Sequence, residues 1–260
     1  MNRGASDVIG FILVFGLIIT SIALVSVTAF AAIQDAQESQ ERQNVLRAFT
    51  VLDDNVQEVV NNDADSRATE IDVDENAQLF YGENVTVTVT AINPSSSDDE
   101  LSKQTSRPII YRISATEQIV YVNGAIIQSF GDNSTMYRDP KVYKTSDGRN
   151  PGTYFSTLSI QPSDGSTTGV GGGTRTIHIR SDGDSAEIEE PPSNGNVTYK
   201  IDGTENQEAW VNWCKGYPLN VDPPGINNGA NDDDDTVVCE ADQIRYRIYY
   251  HNSNIKSEIS

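Results

Sequence analysis

The chain has 260 residues, enough for one sizeable domain or two small ones. Its formal net charge is −20 at pH 7 and its sequence pI about 4.3, so its surface repels nucleic acid and anionic lipid headgroups, and no nucleic-acid partner is expected. Acids spread this evenly along a chain suit a medium of very high salt, where self-repulsion is screened within a few ångströms.

The N-terminal segment comes first and matters most. No charge stands between Asp7 and Asp35, and an apolar run extends from Val8 to Val27, with small or apolar residues on to Ile33. As a helix, 18 or more such residues cross ~30 Å of hydrocarbon. A discarded signal peptide has an apolar region of only ~7–15 residues, so the run is too long for one, although Ala29-Phe30-Ala31 would supply a cleavage pattern. A permanent anchor is the plainer reading. Arg3 on the short side favours a cytoplasmic N terminus, which sends the C-terminal bulk outward.

A third reading comes from a resemblance. Arg3-Gly4 before Ala5-Ser6-Asp7-Val8-Ile9-Gly10-Phe11 resembles the N terminus of archaeal type IV pilin-like proteins. The resemblance implies a leader over residues 1–4, cleaved by a prepilin peptidase between Gly4 and Ala5. The helix would then leave the membrane and assemble with other copies of the chain or with related pilins. Two positions depart from the familiar pattern: Asp7 stands where Pro is frequent, and Ile9 where bacterial pilins often carry Glu. Asp7 has two readings. It is a helix N-cap partner of Ser6, favoured by the positive helix terminus, or it pairs with the α-amino group that cleavage exposes on Ala5. Thr28, Ala32 and Ala36 are small enough to let neighbouring helices approach closely. Further on, Ile119 to Ala125, Met136 to Pro140 and Gly171 to Thr174 resemble segments of haloarchaeal surface proteins with the same N terminus, which brings no known activity.

The helix is expected to run over residues 5–60, hydrophobic over 5–33 and then polar. From Val45 it becomes amphipathic, because Val45, Leu46, Phe49, Leu52, Val56, Val59 and Val60 recur on one helical face. That stripe needs a partner, and the chain's own sheet is the favoured one. Asn61-Asn62-Asp63 reads as the stop.

From Thr69 the period changes to two. Val85 to Thr90 alternates β-branched and polar side chains, as a half-buried strand does. Arg107–Ser114, Glu117–Val122 and Ala125–Phe130 are further strands, the last two joined by Asn123-Gly124, a strong hairpin signal. Thr174–Arg180, Val197–Ile201 and Ile244–Tyr250 alternate again. The expected fold is therefore α+β: a long N-terminal helix, then an antiparallel, Ig-like β-sandwich over 69–260, extracellular. Asp182–Gly195 reads as a flexible or extended connection, and residues 203–240 as a long irregular loop.

Chemistry is sparse. Cys214 and Cys239 lie in the outward part, where a disulfide is permitted. Asn84, Asn133 and Asn196 each open an N-x-S/T sequon and are candidate glycosylation sites. His178 and His251 belong to no catalytic motif, and no nucleophile or metalloprotease signature occurs. Gly169 to Thr174 is a glycine-rich hairpin loop rather than a phosphate cradle. Asp232 to Asp235 reads as a solvated turn before a Ca²⁺ site, and Trp210, Trp213 and Tyr217 as packing before a sugar platform. No cofactor, metal or catalytic residue is expected. The expected function is a structural subunit of a type IV pilus-like filament on the cell surface, made from a membrane-inserted precursor. The alternative is a monomeric, membrane-anchored surface or adhesion protein that does not polymerise.

Overall fold

The computed structural model describes the backbone of residues 3–61, 64–92, 99–145, 152–163, 169, 171–189, 195–216, 236–244 and 247–260. Two compact units divide the chain, Met1–Asn44 and Val45–Ser260. One helix, α1 (Arg3–Asn61), passes through both. It contains no proline, and it stops where the Asn-rich segment was expected to stop it.

In the first unit the described apolar side chains of α1 face outward. Phe11 is 71% exposed, Leu17 and Leu24 68%, and Phe30 67%. Phe11 and Phe15, one turn apart, stack with ring centroids 6.0 Å apart. Two hydroxyls in the apolar run bond back onto the helix: Thr20 Oγ1 donates to the Gly16 carbonyl and Ser21 Oγ to that of Leu17, both at 2.8 Å. A hydroxyl bonded back to its i−4 carbonyl presents no unpaired donor to an apolar environment. Among the described residues, no helix is long and apolar enough to cross a membrane. The side chains of Val8, Ile9, Val27 and Thr28, at the two ends of the expected span, lie outside those described.

The second unit is built on three sheets. The strands are β1 (Ser66–Val73), β2 (Gln78–Tyr81), β3 (Val85–Ile92), β4 (Asp99–Ser106), β5 (Ile109–Arg112), β6 (Glu117–Val122), β7 (Ala125–Phe130), β8 (Asn133–Arg138), β9 (Val142–Thr145), β10 (Gly152–Pro162), β11 (Gly173–Glu189), β12 (Gly195–Asp202), β13 (Thr236–Ile244) and β14 (Arg247–Ile259). A second helix, α2 (Gln207–Gly216), lies between β12 and β13. The first sheet has the order β1-β11-β14-β10-β9, the second β13-β12-β3-β4 and the third β2-β5-β6-β7-β8.

The third sheet is central because its sequence is apolar on both faces. Ile119, Tyr121 and Ile126 join one core, with Phe49, Leu52 and Val56 of α1, Ile177 and Ile179 of β11 and Ile160 of β10. Val120, Val122, Ala125 and Ile127 join another, with β3, β12 and α2. Alternating side chains of one strand thus serve two cores, which is why Ile119 to Ile127 reads as a nearly continuous apolar run. The apolar stripe of α1 from Val45 to Val60 is buried as expected, against its own sheets. Each such side chain contributes about 1.5–3 kcal/mol of transfer free energy.

The fold is thus α+β, with an N-terminal helix and mostly antiparallel strands in several sheets. Five local expectations are corrected. First, β10 pairs with β14 in parallel, from Gly152↔Arg247 to Pro162↔Ser257. A parallel pair needs a long crossover, and β11, β12, α2 and β13 lie in the chain between these two strands. Second, Ile244–Tyr250 is not one strand: β13 ends at Ile244 and β14 begins at Arg247. Third, the expected connection Asp182–Gly195 is strand as far as Glu189. The register shifts between Ser181 and Asp184, and Gly183 sits there at φ 114°, so a glycine bulge interrupts the pattern without ending the strand. Fourth, the expected loop 203–240 opens with α2 and closes with β13. Ala209, Trp210, Trp213 and Cys214 form the buried face of α2, at helical spacing. The Gly169–Thr174 segment is not a hairpin either, because β10 and β11 are separated by β14. Two of its four glycines do take positive φ, 67° at Gly172 and 87° at Gly173.

Candidate functional site

The N-terminal residues singled out by the sequence lie in the first turns of α1, where the backbone through Gly4, Ala5 and Asp7 is helical. The side chain of Asp7 lies outside those described, as do those of Thr28 and Ala32; Ala36 is exposed. The described part of this surface is apolar, uncharged and outward-facing from Phe11 to Val25. Chemically it can do one thing: exchange water for lipid or for another apolar surface.

Further along the same helix, sequence reasoning missed a charged anchor. Asp53 is fully buried, on the face that carries Phe49 and Val56. Tyr121 of β6 donates its hydroxyl to Asp53 Oδ1 at 3.0 Å. Arg138 Nε lies 2.9 Å and Lys141 Nζ 3.3 Å from Oδ2. Neither cation is aligned for a hydrogen bond to Oδ2, which is therefore held by charge alone. Arg138 also reaches Asp54 Oδ1 at 2.8 Å and the Thr50 carbonyl at 3.3 Å. A buried carboxylate requires such partners, since isolated charge in an apolar core costs several kcal/mol. Burial holds the Tyr121 phenol well above its ordinary range, and the charge of Asp53 adds to the shift. An aspartate inside an apolar helical stripe was the signal that could have revealed this anchor.

A second junction sits at the β6–β7 turn. Asn123 and Gly124 have φ of 51° and 74°, the two positive angles a two-residue hairpin turn requires. The Asn123 amide is buried, its Oδ1 accepting the Leu158 N–H of β10 at 2.7 Å and its Nδ2 donating to the Tyr199 hydroxyl of β12. One turn residue of the central sheet therefore bonds to strands of both other sheets.

Cys214 and Cys239 form a disulfide joining α2 to β13, with Cα atoms 5.7 Å apart. Beside it, Trp213 meets Trp210 edge-on at 5.8 Å and Tyr199 at 5.6 Å. Both tryptophans are core residues and do not form an exposed platform. Tyr217 and Asp232 to Asp235 lie outside the described residues.

Of the sequons, Asn84 and Asn133 are exposed. Asn196 lies within β12, paired with Ile92, and its side chain is outside those described. Ser134 within the second sequon is buried. Its Oγ accepts the Ala209 N–H at 2.9 Å, and its own N–H donates to Glu208 at 3.0 Å, tying β8 to the start of α2. His178 is exposed on β11, and His251 lies 3.5 Å from Ser253 Oγ. Among the described residues no group of three or more His, Cys, Asp or Glu is placed to hold a metal ion.

A family model described as a family of unknown function, DUF7289, matches residues 3–256. No curated protein and no solved structure matches the chain.

Proposed function

The chain belongs to the DUF7289 family, and we propose that it is a structural subunit of an extracellular type IV pilus-like filament. In this reading a prepilin peptidase cuts between Gly4 and Ala5 of a membrane-inserted precursor. The subunits then exchange lipid for one another along the apolar half of α1. Thr28, Ala32 and Ala36 would lie at the close approaches, and Asp7 would cap the helix or pair with the new α-amino group of Ala5. No step requires chemistry on a substrate, so the protein is read as structural and not as an enzyme.

The observation that carries the proposal is the contrast within one helix. Val45 to Val60 is buried in the chain's own cores, whereas Phe11, Leu17, Leu24 and Phe30 are exposed. Contiguous exposed apolar surface on this scale marks a membrane or protein contact. The Ig-like relation of the β-domain belongs to the same proposal, and face-to-face packing of mostly antiparallel sheets supports it.

Immunogold electron microscopy with an antibody raised against residues 45–260 tests the reading. Label running along surface fibres is expected. Label spread over the cell envelope, with none on fibres, favours instead the membrane-anchored monomer, whose support is the same apolar segment.

A further inference from the structure

A groove of about 360 Å³ opens where β2, β5 and β6 face the turn between β12 and α2. Its floor is apolar: Val85, Ile110, Val120 and Val122 are all buried. Its polar wall consists of planar side chains. The Arg112 guanidinium stacks on Phe80, 4.6 Å from the ring centroid, and Arg107 directs Nε to the Gly82 carbonyl at 3.1 Å. Gln118 and Asn206 bring amides, and Glu83 and Glu205 bring carboxylates.

Two observations mark it as more than a packing fault. Neither arginine makes an ion pair among the described residues, although the chain carries a net charge of −20. Glycine also builds the walls. A Cβ on Gly203, at φ +78°, would lie 2.6 Å from the Asn84 carbonyl oxygen, and one on Gly82 would lie 2.6 Å from Ile110 Cδ1.

We propose that this groove binds a single hexopyranose ring. The guanidinium forks and the amide and carboxylate groups present paired donors and acceptors, the match for vicinal hydroxyls. The apolar floor takes the C–H face of the ring. A simple anion would leave that floor unused and meet two carboxylates, while a purely apolar ligand would strand the amides and arginines. The volume lies in the range of small-ligand pockets.

The ring has two possible sources. Asn84, exposed and part of a sequon, stands between Glu83 and Val85, which both line the groove. The sugar is either free in the medium or the end of a glycan carried on Asn84. The inference is independent of filament assembly, because every groove residue lies within the Val45–Ser260 unit.

Saturation-transfer NMR on the full-length, natively produced protein in detergent tests it. The probes are the methyl glycosides of glucose, mannose, galactose and N-acetylglucosamine. Transfer to ring protons of at least one is expected, with affinity reduced ~10-fold in both Arg112→Ala and Gln118→Ala at unchanged melting temperature, the size expected for one lost hydrogen-bonding group. Transfer to the wild type places the source in the medium. Transfer only in Asn84→Gln places it on the chain's own glycan. No transfer to either protein overturns the proposal, and so does transfer that both groove variants leave undiminished.

Discussion

Asn123 Oδ1 accepts the backbone N–H of Leu158 at 2.7 Å, so a hairpin turn in the central sheet holds a strand of a neighbouring one. The same amide donates to Tyr199 of β12, in the remaining sheet. The turn alone requires only a residue that tolerates positive φ. The buried bonds require asparagine.

Asn123→Gly separates these roles. Glycine keeps the φ of 51° at no steric cost but leaves the Leu158 N–H buried and unpaired. Unfolding in urea should show a loss of about 2–4 kcal/mol, from an unsatisfied buried donor and a lost side-chain bond. A loss below about 0.5 kcal/mol would mean that the turn geometry is all that matters.

The Asp53 anchor makes a second prediction. Asp53→Asn leaves Arg138 and Lys141 facing a neutral amide, and breaking such a pair from one side costs about 3–5 kcal/mol. Adding Arg138→Gln should restore part of the loss, since it removes the stranded charge. A double-mutant cycle on melting curves measures the coupling, and additive losses would show that the pair does not couple α1 to the sheet.

The disulfide makes a third. It closes a separation of 25 residues between α2 and β13, for which the chain-entropy estimate is ~3–4 kcal/mol. Cys214→Ser with Cys239→Ser should lower the unfolding midpoint accordingly. The tryptophan emission should change at the same time, because Trp213 precedes Cys214 and packs on Trp210. An unchanged emission spectrum would show that the aromatic cluster stands without the bridge.

The buried phenols make a fourth. Tyr121 and Tyr199 both have folded pKa values raised by burial. Asp53 adds to the shift at Tyr121, and the Asn123 hydrogen bond opposes it at Tyr199. A raised folded pKa contributes stability that is fully present below the unfolded value of ~10 and is lost as pH rises beyond it. Stability should therefore hold up to about pH 10 and fall above it. Tyr121→Phe should remove part of that fall. A pH series of urea midpoints reads both, and an alkaline slope unchanged in Tyr121→Phe would assign the loss elsewhere.

Much of this architecture was legible because its signals are local and periodic. The amphipathic stripe from Val45 to Val60, the alternation of β3 and the Asn123-Gly124 turn each follow from side-chain spacing, and each appears in the structure. What escaped depends on contacts distant in sequence. The parallel pairing of β10 with β14 joins segments nearly a hundred residues apart (Gly152 with Arg247) and leaves no mark on either strand. Helix α2 is short, and Gln207, Glu208, Asn212 and Lys215 masked its apolar face of Trp210 and Trp213. Glu189 marks a strand end that composition hid, because its acidic and proline-rich neighbourhood reads as loop. Asp53 shows itself only by its place within the apolar stripe of α1, and Arg138 and Lys141 look like ordinary surface charges until the fold brings them to it. The groove likewise draws on four separate stretches between Phe80 and Asn206.

The central claim is that the apolar half of α1 serves assembly after trimming. Mass spectrometry of the N-terminal peptide from surface filaments sheared off cells tests it most directly. The account predicts that the chain is present in the filaments and begins at Ala5. Its absence from them, an intact Met1, or a start near Ala32 would contradict the account.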